Sequence, residues 1–304
     1  MIQPPVRIGL IGYGEVGKTF TQGLQGQPGV SIVSAWDLKF DSATQRDAEL
    51  DHASLHGVTA CTNLQELCAH SDLIISAVTA SSTLGVAQQA APLVRSGAVF
   101  LDLNSASPAI KRQAAAEIDA RGADYVEAGV MTSVPPYGIR VPMLLGGAQA
   151  ASLASMLNSW GMDATAVSEK LGVASAIKMC RSIMIKGLEA LVIESYTTAR
   201  AYGVEDKVLP TLQETFPSID WAQQGAYFFS RVAQHGQRRA EEMREATRTV
   251  EEAGFAPFMA AAIADKQQWV ADAAAQGAFR ELPAPASWQD YADRLLRDRK
   301  GAAD

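Results

Sequence analysis

The sequence predicts an α/β chain: an N-terminal doubly wound parallel sheet over residues 1–167, followed by an all-helical domain over residues 168–304. Three observations predict it. Short apolar runs alternate with helix-like stretches from Val6 to about Gly147, a glycine-rich turn joins the first run to the first helix, and past Lys170 the short runs give way to long helical periodicity. The 304 residues suffice for two domains of ordinary size, and 48% hydrophobic against 19% charged residues suits a chain that buries a large core. A formal charge of −7 with no run of basic residues argues against nucleic acid, because neutralising phosphates needs a basic face. No stretch is uniformly apolar over the roughly 18 residues a membrane span needs. The start MIQPPVRIGL has no basic segment followed by a signal-length apolar run, and Cys61, Cys68 and Cys180 are odd in number without metal-finger spacing. The expectation is a reduced, cytoplasmic protein with no metal, its cysteines buried as small hydrophobes.

Taken in order, the apolar runs are VRIGLIG, VSIVSAWD, SDLIISAV, AVFLDLN, DYVEAG and VPMLLGG, bounded by Gly, Asp or Ser. Runs apolar on both sides suit strands covered by helices on both faces, as in a parallel sheet. The first runs directly into Gly12, Tyr13, Gly14, Glu15, Val16 and Gly17, and then into KTFTQGLQG with helical spacing. In this strand-turn-helix setting Gly12 permits the tight turn, Gly14 lets backbone amides approach a pyrophosphate, and Gly17 lets the helix pack close to the strand. Asp37 ends the second run 37 − 17 = 20 residues past the last glycine, where a carboxylate accepts hydrogen bonds from the adenosine ribose hydroxyls. An acid there repels a 2′-phosphate, so NAD is predicted over NADP, with Lys39 close enough to soften the preference.

A strand-like stretch DATAVS leads to Ser168, where the boundary is placed. LGVASAIKMCRSIMIKGLEALVIESYTTARAYG then runs for about 30 residues without proline, and further helical stretches follow from Asp220 to Gly254 and from Pro257 to Gly277. At about 100° per residue, Lys178, Ser182, Lys186 and Glu189 fall within one narrow stripe of an otherwise apolar helix. A polar line on a buried helix faces a cavity or a partner; a lysine that snorkels or pairs with Glu189 is the competing reading. So apolar a helix needs more covering than the C-terminal residues readily supply, which predicts a homodimer. His235, Arg238 and Arg239 form a basic cluster, read as a solvated face paired to Glu241 and Glu242.

GLIGYGEVGKTF, the strand ending DLNSASP, the LLGG strand and the helix GVASAIKMCRS occur in the order found in the β-hydroxyacid dehydrogenases, and over nearly all of the first 200 residues the chain resembles that family. The family includes 3-hydroxyisobutyrate dehydrogenase and 6-phosphogluconate dehydrogenase, and the helical tail looks closer to a branch with a phosphogluconate-dehydrogenase-like C-terminal domain. The resemblance implies a Rossmann domain that binds NAD(P), a helical domain that binds substrate and dimerises, and Lys178 as catalytic acid/base. It places Asp102, Asn104 and Ser105 in the loop beside the nicotinamide, although Asn and Ser there also suit a cap for the helix beginning near Pro108. Where the family reads Ser-Gly-Gly this chain has Met131, Thr132 and Ser133, so the hydroxyls of Thr132 and Ser133 replace close backbone approach in binding the substrate. Pro135 and Pro136 stiffen that loop, while Tyr137 and Arg140 could meet a ring or a carboxylate. Ser182 stands where the family has Asn, and Arg181 adds a cation that could hold a carboxylate. The predicted reaction is hydride exchange between nicotinamide and a small anionic hydroxyacid or ketone, with Lys178, Ser182 and Asn104 catalytic and Ser105 among the substrate contacts. Loss of CO₂ from a β-keto acid product stays open. The alternatives are an imine or ketone reductase on the same scaffold, against which Lys178 argues, and a non-enzymatic dinucleotide sensor.

Overall fold

The computed structural model describes residues 2–301; Met1 and 302–304, at the outer ends of the two predicted domains, lie outside the described residues. Contacts divide the chain into two compact units, one ending at Met179 and the other beginning at Cys180.

The first unit carries β1 (Val6–Ile11), α1 (Glu15–Leu24), β2 (Val30–Trp36), α2 (Arg46–Leu55), β3 (Thr59–Ala60), α3 (Leu64–His70), β4 (Leu73–Ser76), α4 (Thr83–Ala90), β5 (Val99–Asp102), α5 (Pro108–Asp119), β6 (Asp124–Val130), β7 (Pro142–Gly146), α6 (Ala150–Ser159) and β8 (Asp163–Ser168). The strands form one sheet in the order β3-β2-β1-β4-β5-β6-β7-β8. The order runs outward from β1 in both directions, which is the doubly wound arrangement expected of the βαβ rhythm. Successive residues of each strand enter opposite cores. Leu73, Ile75, Val99, Leu101 and Val126 join one apolar cluster, while Ile74, Phe100 and Tyr125 join the other.

One pairing departs from the parallel sheet. β7 runs antiparallel to β6, whereas β7 and β8 are parallel. The cause is the connection: between Val130 and Pro142 the chain holds only a short 3-10 turn at Gly138–Arg140, too little for a crossover helix that would return the chain in the same direction. β3, only two residues long, carries no periodicity that a sequence pattern could reveal.

In the second unit α7 (Val173–Tyr202), whose first turns belong to the sheet unit, is followed by α8 (Glu205–Thr215), α9 (Trp221–Glu252), α10 (Phe258–Ala275) and α11 (Trp288–Gly301). The sequence reading contained α7, α9 and α10 and missed the shorter, more polar α8 and α11. Ile193, Tyr196, Phe229, Val232, Val270 and Trp288 form the core here. Gly225 of α9 is glycine because an added Cβ would come within 2.6 Å of the Tyr196 ring. Arg200 ties the end of α7 to α11 through Asp293 and to the start of α8 through Glu205. Among the described residues no helix is long and apolar enough to cross a membrane. Cys61 and Cys68 are buried, which pushes their thiols up to about 11 and about 12. Cys180 is exposed, against the expectation, because the helix face that carries it is not covered.

The N-terminal end of the central strands, at the start of β4, is fixed by Asp72. Its carboxylate accepts from the Arg7 backbone amide at 2.9 Å, from both arms of the Arg7 guanidinium at 3.0 Å, and from Arg95. These bonds, the Arg7 side chain first among them, lower the carboxyl to about 2. A carboxyl with a folded pKa below its unfolded one contributes stability that is present above the unfolded value and lost as the pH falls through the folded value. Asp72→Asn is therefore expected to cost about 1–2 kcal/mol at neutral pH, the partly exposed arginines discounting the full shift. Urea denaturation series should show the gap between the variant and the parent closing as the pH is lowered from about 4 to about 2.

Candidate active site

The glycine turn begins where β1 ends. The Gly12 amide donates to the Trp36 carbonyl at 2.9 Å, and Gly12 adopts a φ of 99°, with an added Cβ only 2.4 Å from the Ala77 carbonyl oxygen. Gly17, on the first turn of α1, lies so close to the turn that its Cβ would be 2.0 Å from the Gly12 carbonyl oxygen. Gly14 is different. It precedes α1 as the N-cap without any side-chain cap, and a Cβ on it would meet nothing within 4 Å, so the helix N-terminus opens onto free space. The exposed Glu15 and half-buried Val16 complete the first turn. Such an uncovered N-terminus, with its amides unshielded, fits a pyrophosphate.

Asp37 directly follows β2 and closes the turn from the other side. Its carboxylate accepts from the Tyr13 amide at 2.6 Å and from the Lys39 amide at 2.9 Å. Tyr13 is fully buried, with its hydroxyl 3.0 Å from His52 Nδ1. Lys18 and Lys39 both face Glu49, at 2.7 and 3.8 Å.

At the end of β5 the buried Asp102 accepts from the Asn104 amide at 2.8 Å, from the Lys111 ammonium at 2.9 Å and from the Tyr125 hydroxyl. Asn104, also buried, accepts from the Val78 amide at 2.7 Å and donates to Ser76 Oγ at 3.0 Å, so its side chain ties the ends of β4 and β5 together. Ser107 is the residue that caps α5, through a bond from the Ile110 amide. Ser105 is left facing outward, and Lys178 Nζ donates to its hydroxyl at 2.6 Å. Lys178 is half-buried on the second turn of α7. It reaches Ser105 because β6 has a glycine where α7 crosses: a Cβ on Gly129 would lie 3.0 Å from the Ala174 carbonyl oxygen and 3.3 Å from Lys178 Cβ.

The loop after β6 is anchored by the buried Val134, whose carbonyl accepts from the Tyr137 and Gly138 amides at 3.0 and 2.8 Å. Thr132 is exposed and Ser133 half-buried beside it, while Tyr137 and Arg140 are exposed. Ile139 packs where Gly23 of α1 has no side chain, a Cβ there lying 2.3 Å from the isoleucine, so this loop rests on the glycine-turn helix.

The polar line on α7 divides. Lys178 belongs to the sheet unit. In the helical unit Ser182 accepts from Lys186 at 3.3 Å, Lys186 pairs with Glu242 at 2.9 Å, and Glu189 takes Arg239 and, at 3.3 Å, Gln267. Arg181 is exposed. Lys186 thus pairs with a helix distant in sequence rather than with Glu189. Arg239 is correspondingly not on a solvated face: it is buried against Glu189, and of the basic cluster Arg238 makes the expected exposed pair, with Glu242 at 3.0 Å. Sequence reasoning missed Lys111, Tyr125 and Glu127. Glu127, a charge inside the apolar run DYVEAG, and Lys111, a charge on the covered side of α5, carried a signal.

Comparison with known proteins places the fold among dinucleotide-binding relatives. The profile of the NAD binding domain of 6-phosphogluconate dehydrogenase matches residues 7–167, and that of a domain of unknown function matches residues 199–270. A conserved hypothetical protein from Sinorhizobium meliloti is 37% identical, covers 96% of each chain and superposes with a TM-score of 0.75. A second conserved protein of unknown function, described as structurally similar to 3-hydroxyacid dehydrogenases, is 30% identical over 90% of this chain and 99% of its own, with a TM-score of 0.68. The 3-hydroxyisobutyrate dehydrogenase of Mycobacterium tuberculosis shares the fold at 16% identity, with 95% of this chain and 99% of that one covered and a TM-score of 0.66.

Proposed function

The chain belongs to the family defined by the NAD binding domain of 6-phosphogluconate dehydrogenase, and from that premise we propose that it is an NAD(P)-dependent oxidoreductase of the β-hydroxyacid dehydrogenase type with Lys178 as its general acid/base. The observation that carries the proposal is the 2.6 Å hydrogen bond from Lys178 Nζ to Ser105 Oγ, which holds an amine at the carboxyl end of a parallel strand, where ligands of such sheets bind. Gly12, Gly14, Glu15, Val16 and Gly17 form the turn that would receive the pyrophosphate, and Asp37 the adenosine ribose. NAD(P) held there would supply the hydride acceptor for oxidation of the substrate carbon and the hydride donor for its reduction. That carbon gives up hydride only as its hydroxyl proton leaves, so oxidation needs a base within hydrogen-bond reach. Lys178 takes that proton in oxidation and returns it to the carbonyl oxygen in reduction. Ser105 holds the amine, Asn104 fixes the turn that presents Ser105, and Ser182, one turn beyond Lys178, orients the substrate. Thr132, Ser133 and Arg181 are assigned to the substrate's anionic end.

With a panel of small hydroxyacids and their keto acids, followed at 340 nm, Lys178→Met should cut turnover of the best substrate by roughly 10²–10⁴ and leave NADH affinity nearly unchanged. Lys186→Met should do much less, since Lys186 already serves the pair with Glu242. Near-native turnover by Lys178→Met would refute the assignment.

Asp37 carries the proposed preference for NAD. Fluorescence titration should give tighter binding of NADH than of NADPH, and Asp37→Ala should weaken NADH selectively; tighter NADPH binding by the parent protein would count against it.

The chain is further proposed to act as a homodimer. Met184, Leu188, Leu191 and Tyr202 are exposed and fall within a stripe of about 60° on α7. An apolar stripe of this kind on a soluble protein marks an interface. Light scattering at micromolar concentration should give twice the chain mass, and Leu188→Glu with Leu191→Glu should return the monomer; a parent protein that runs as a monomer would refute it.

A further inference from the structure

Beyond the residues assigned above, the first turn of α7 is held by a group that belongs to neither the helix nor the turn before it. Gly172, the residue preceding α7, has a φ of 96° and no side chain with which to cap, and a Cβ there would meet Arg112 at 2.5 Å and Pro108 at 3.2 Å. The cap comes from β6. Glu127, fully buried, accepts from the Gly172 amide at 2.7 Å and from the Ala174 amide at 3.0 Å, both on Oε1. A carboxylate facing unpaired amides at a helix N-terminus is favourable on both hydrogen-bonding and dipole grounds. Yet its second oxygen, Oε2, is buried with no hydrogen-bond partner, which a cap alone does not require and which is costly. The backbone of β7 makes room for the capping oxygen: a Cβ on Gly146 would lie 2.6 Å from Glu127 Oε1.

Two residues further along β6, and so on the same face of the strand, stands Gly129. It receives the same helix one turn later, where its missing Cβ admits the Ala174 carbonyl and Lys178 Cβ. Glu127 therefore fixes α7 along its axis through two amides, and Gly129 fixes its distance from the sheet. One turn separates Ala174 from Lys178, so an axial slip of the first turn is carried straight to the lysine.

We propose that Glu127 and Gly129 are positioning residues that hold Lys178 on Ser105. Their importance to catalysis rests on the reading of Lys178 given above, but their effect on the lysine itself does not, and the test separates the two. Trace labelling with acetic anhydride, read lysine by lysine by peptide mass spectrometry, reports how freely each amine reacts without any substrate. In Gly129→Ala and in Glu127→Asp, Lys178 should react about tenfold faster than in the parent protein, as an amine released from a charged hydrogen bond does. Lys266, which pairs with Glu194 in the helical unit, serves as the internal reference and should be unchanged. Glu127→Gln, which keeps the length and one acceptor for the two amides, should restore most of the protection.

A purely structural role predicts something else: a lower melting temperature with all lysines shifted together, or no folded variant of any of the three, and either result overturns the proposal. Unchanged Lys178 reactivity in folded Gly129→Ala and Glu127→Asp overturns it as well. If Lys178 is released as expected while Lys178→Met keeps its turnover, the positioning stands and the assignment of Lys178 as acid/base falls.

Discussion

A single buried carboxylate, Asp102 at the end of β5, gathers the donors on which the arrangement of the site depends. It is 1% exposed and takes the Asn104 amide, the fully buried Lys111 ammonium and the Tyr125 hydroxyl. Burial, and then the neighbouring negative charge of Asp102, push the Tyr125 phenol well above its ordinary range, so it remains a donor at any pH the protein meets. Removing two such charges from water costs several kcal/mol per ion, which is recovered only where geometry is good and the remaining lone pairs are filled. Here they are filled, and the result is a turn with little freedom. The Leu103 amide bonds to the Ser76 carbonyl at 3.0 Å, Asn104 spans to Val78, and Ser105 is the hydroxyl turned toward Lys178. Loss of Asp102 would leave Lys111 as an uncompensated buried cation, so the network can be kept whole or replaced whole but not trimmed.

The same chemistry recurs in the helical unit with another consequence. Lys186 with Glu242, and Glu189 with Arg239 and Gln267, are buried contacts from α7 to α9 and α10. They hold the register of three helices whose apolar faces could otherwise slide, because apolar surfaces alone resist a slip of one turn only weakly. Periodicity groups Lys186 and Glu189 with Lys178, since all three lie on one stripe of α7. It reports which side chains share a helix face and not what each of them meets, so the stripe alone could not divide a lysine held by a serine hydroxyl from one already paired.

Features fixed by local sterics were legible in the sequence. Two of the three glycines could be assigned because Gly12 needs its positive φ and Gly17 its 2.0 Å approach whatever the rest of the chain does. Strands buried on both faces betrayed themselves as unbroken apolar runs. The antiparallel β7 was missed although its short connection to β6 held the information, since an apolar run has no direction of its own. Lys111 and Glu127 escaped for a related reason. Each is a charge that belongs in the interior only with partners from another element, Asp102 for one and the amides of Gly172 and Ala174 for the other.

The proposed adenosine end illustrates how little a motif residue means apart from its neighbours. Asp37 is recognised by its distance from the glycines, but its carboxylate already accepts the Tyr13 and Lys39 amides, so it stands oriented before any ribose arrives. Orientation in advance lowers the entropy that binding must overcome. The proposed discrimination against a 2′-phosphate depends on the charge around it. Lys18 and Lys39 are the cations at hand, and both turn to Glu49. A phosphate would have to draw one lysine away from Glu49 while facing Asp37. The proposed preference for NAD thus rests on this four-residue balance, in which Glu49 matters as much as the aspartate that the motif singles out.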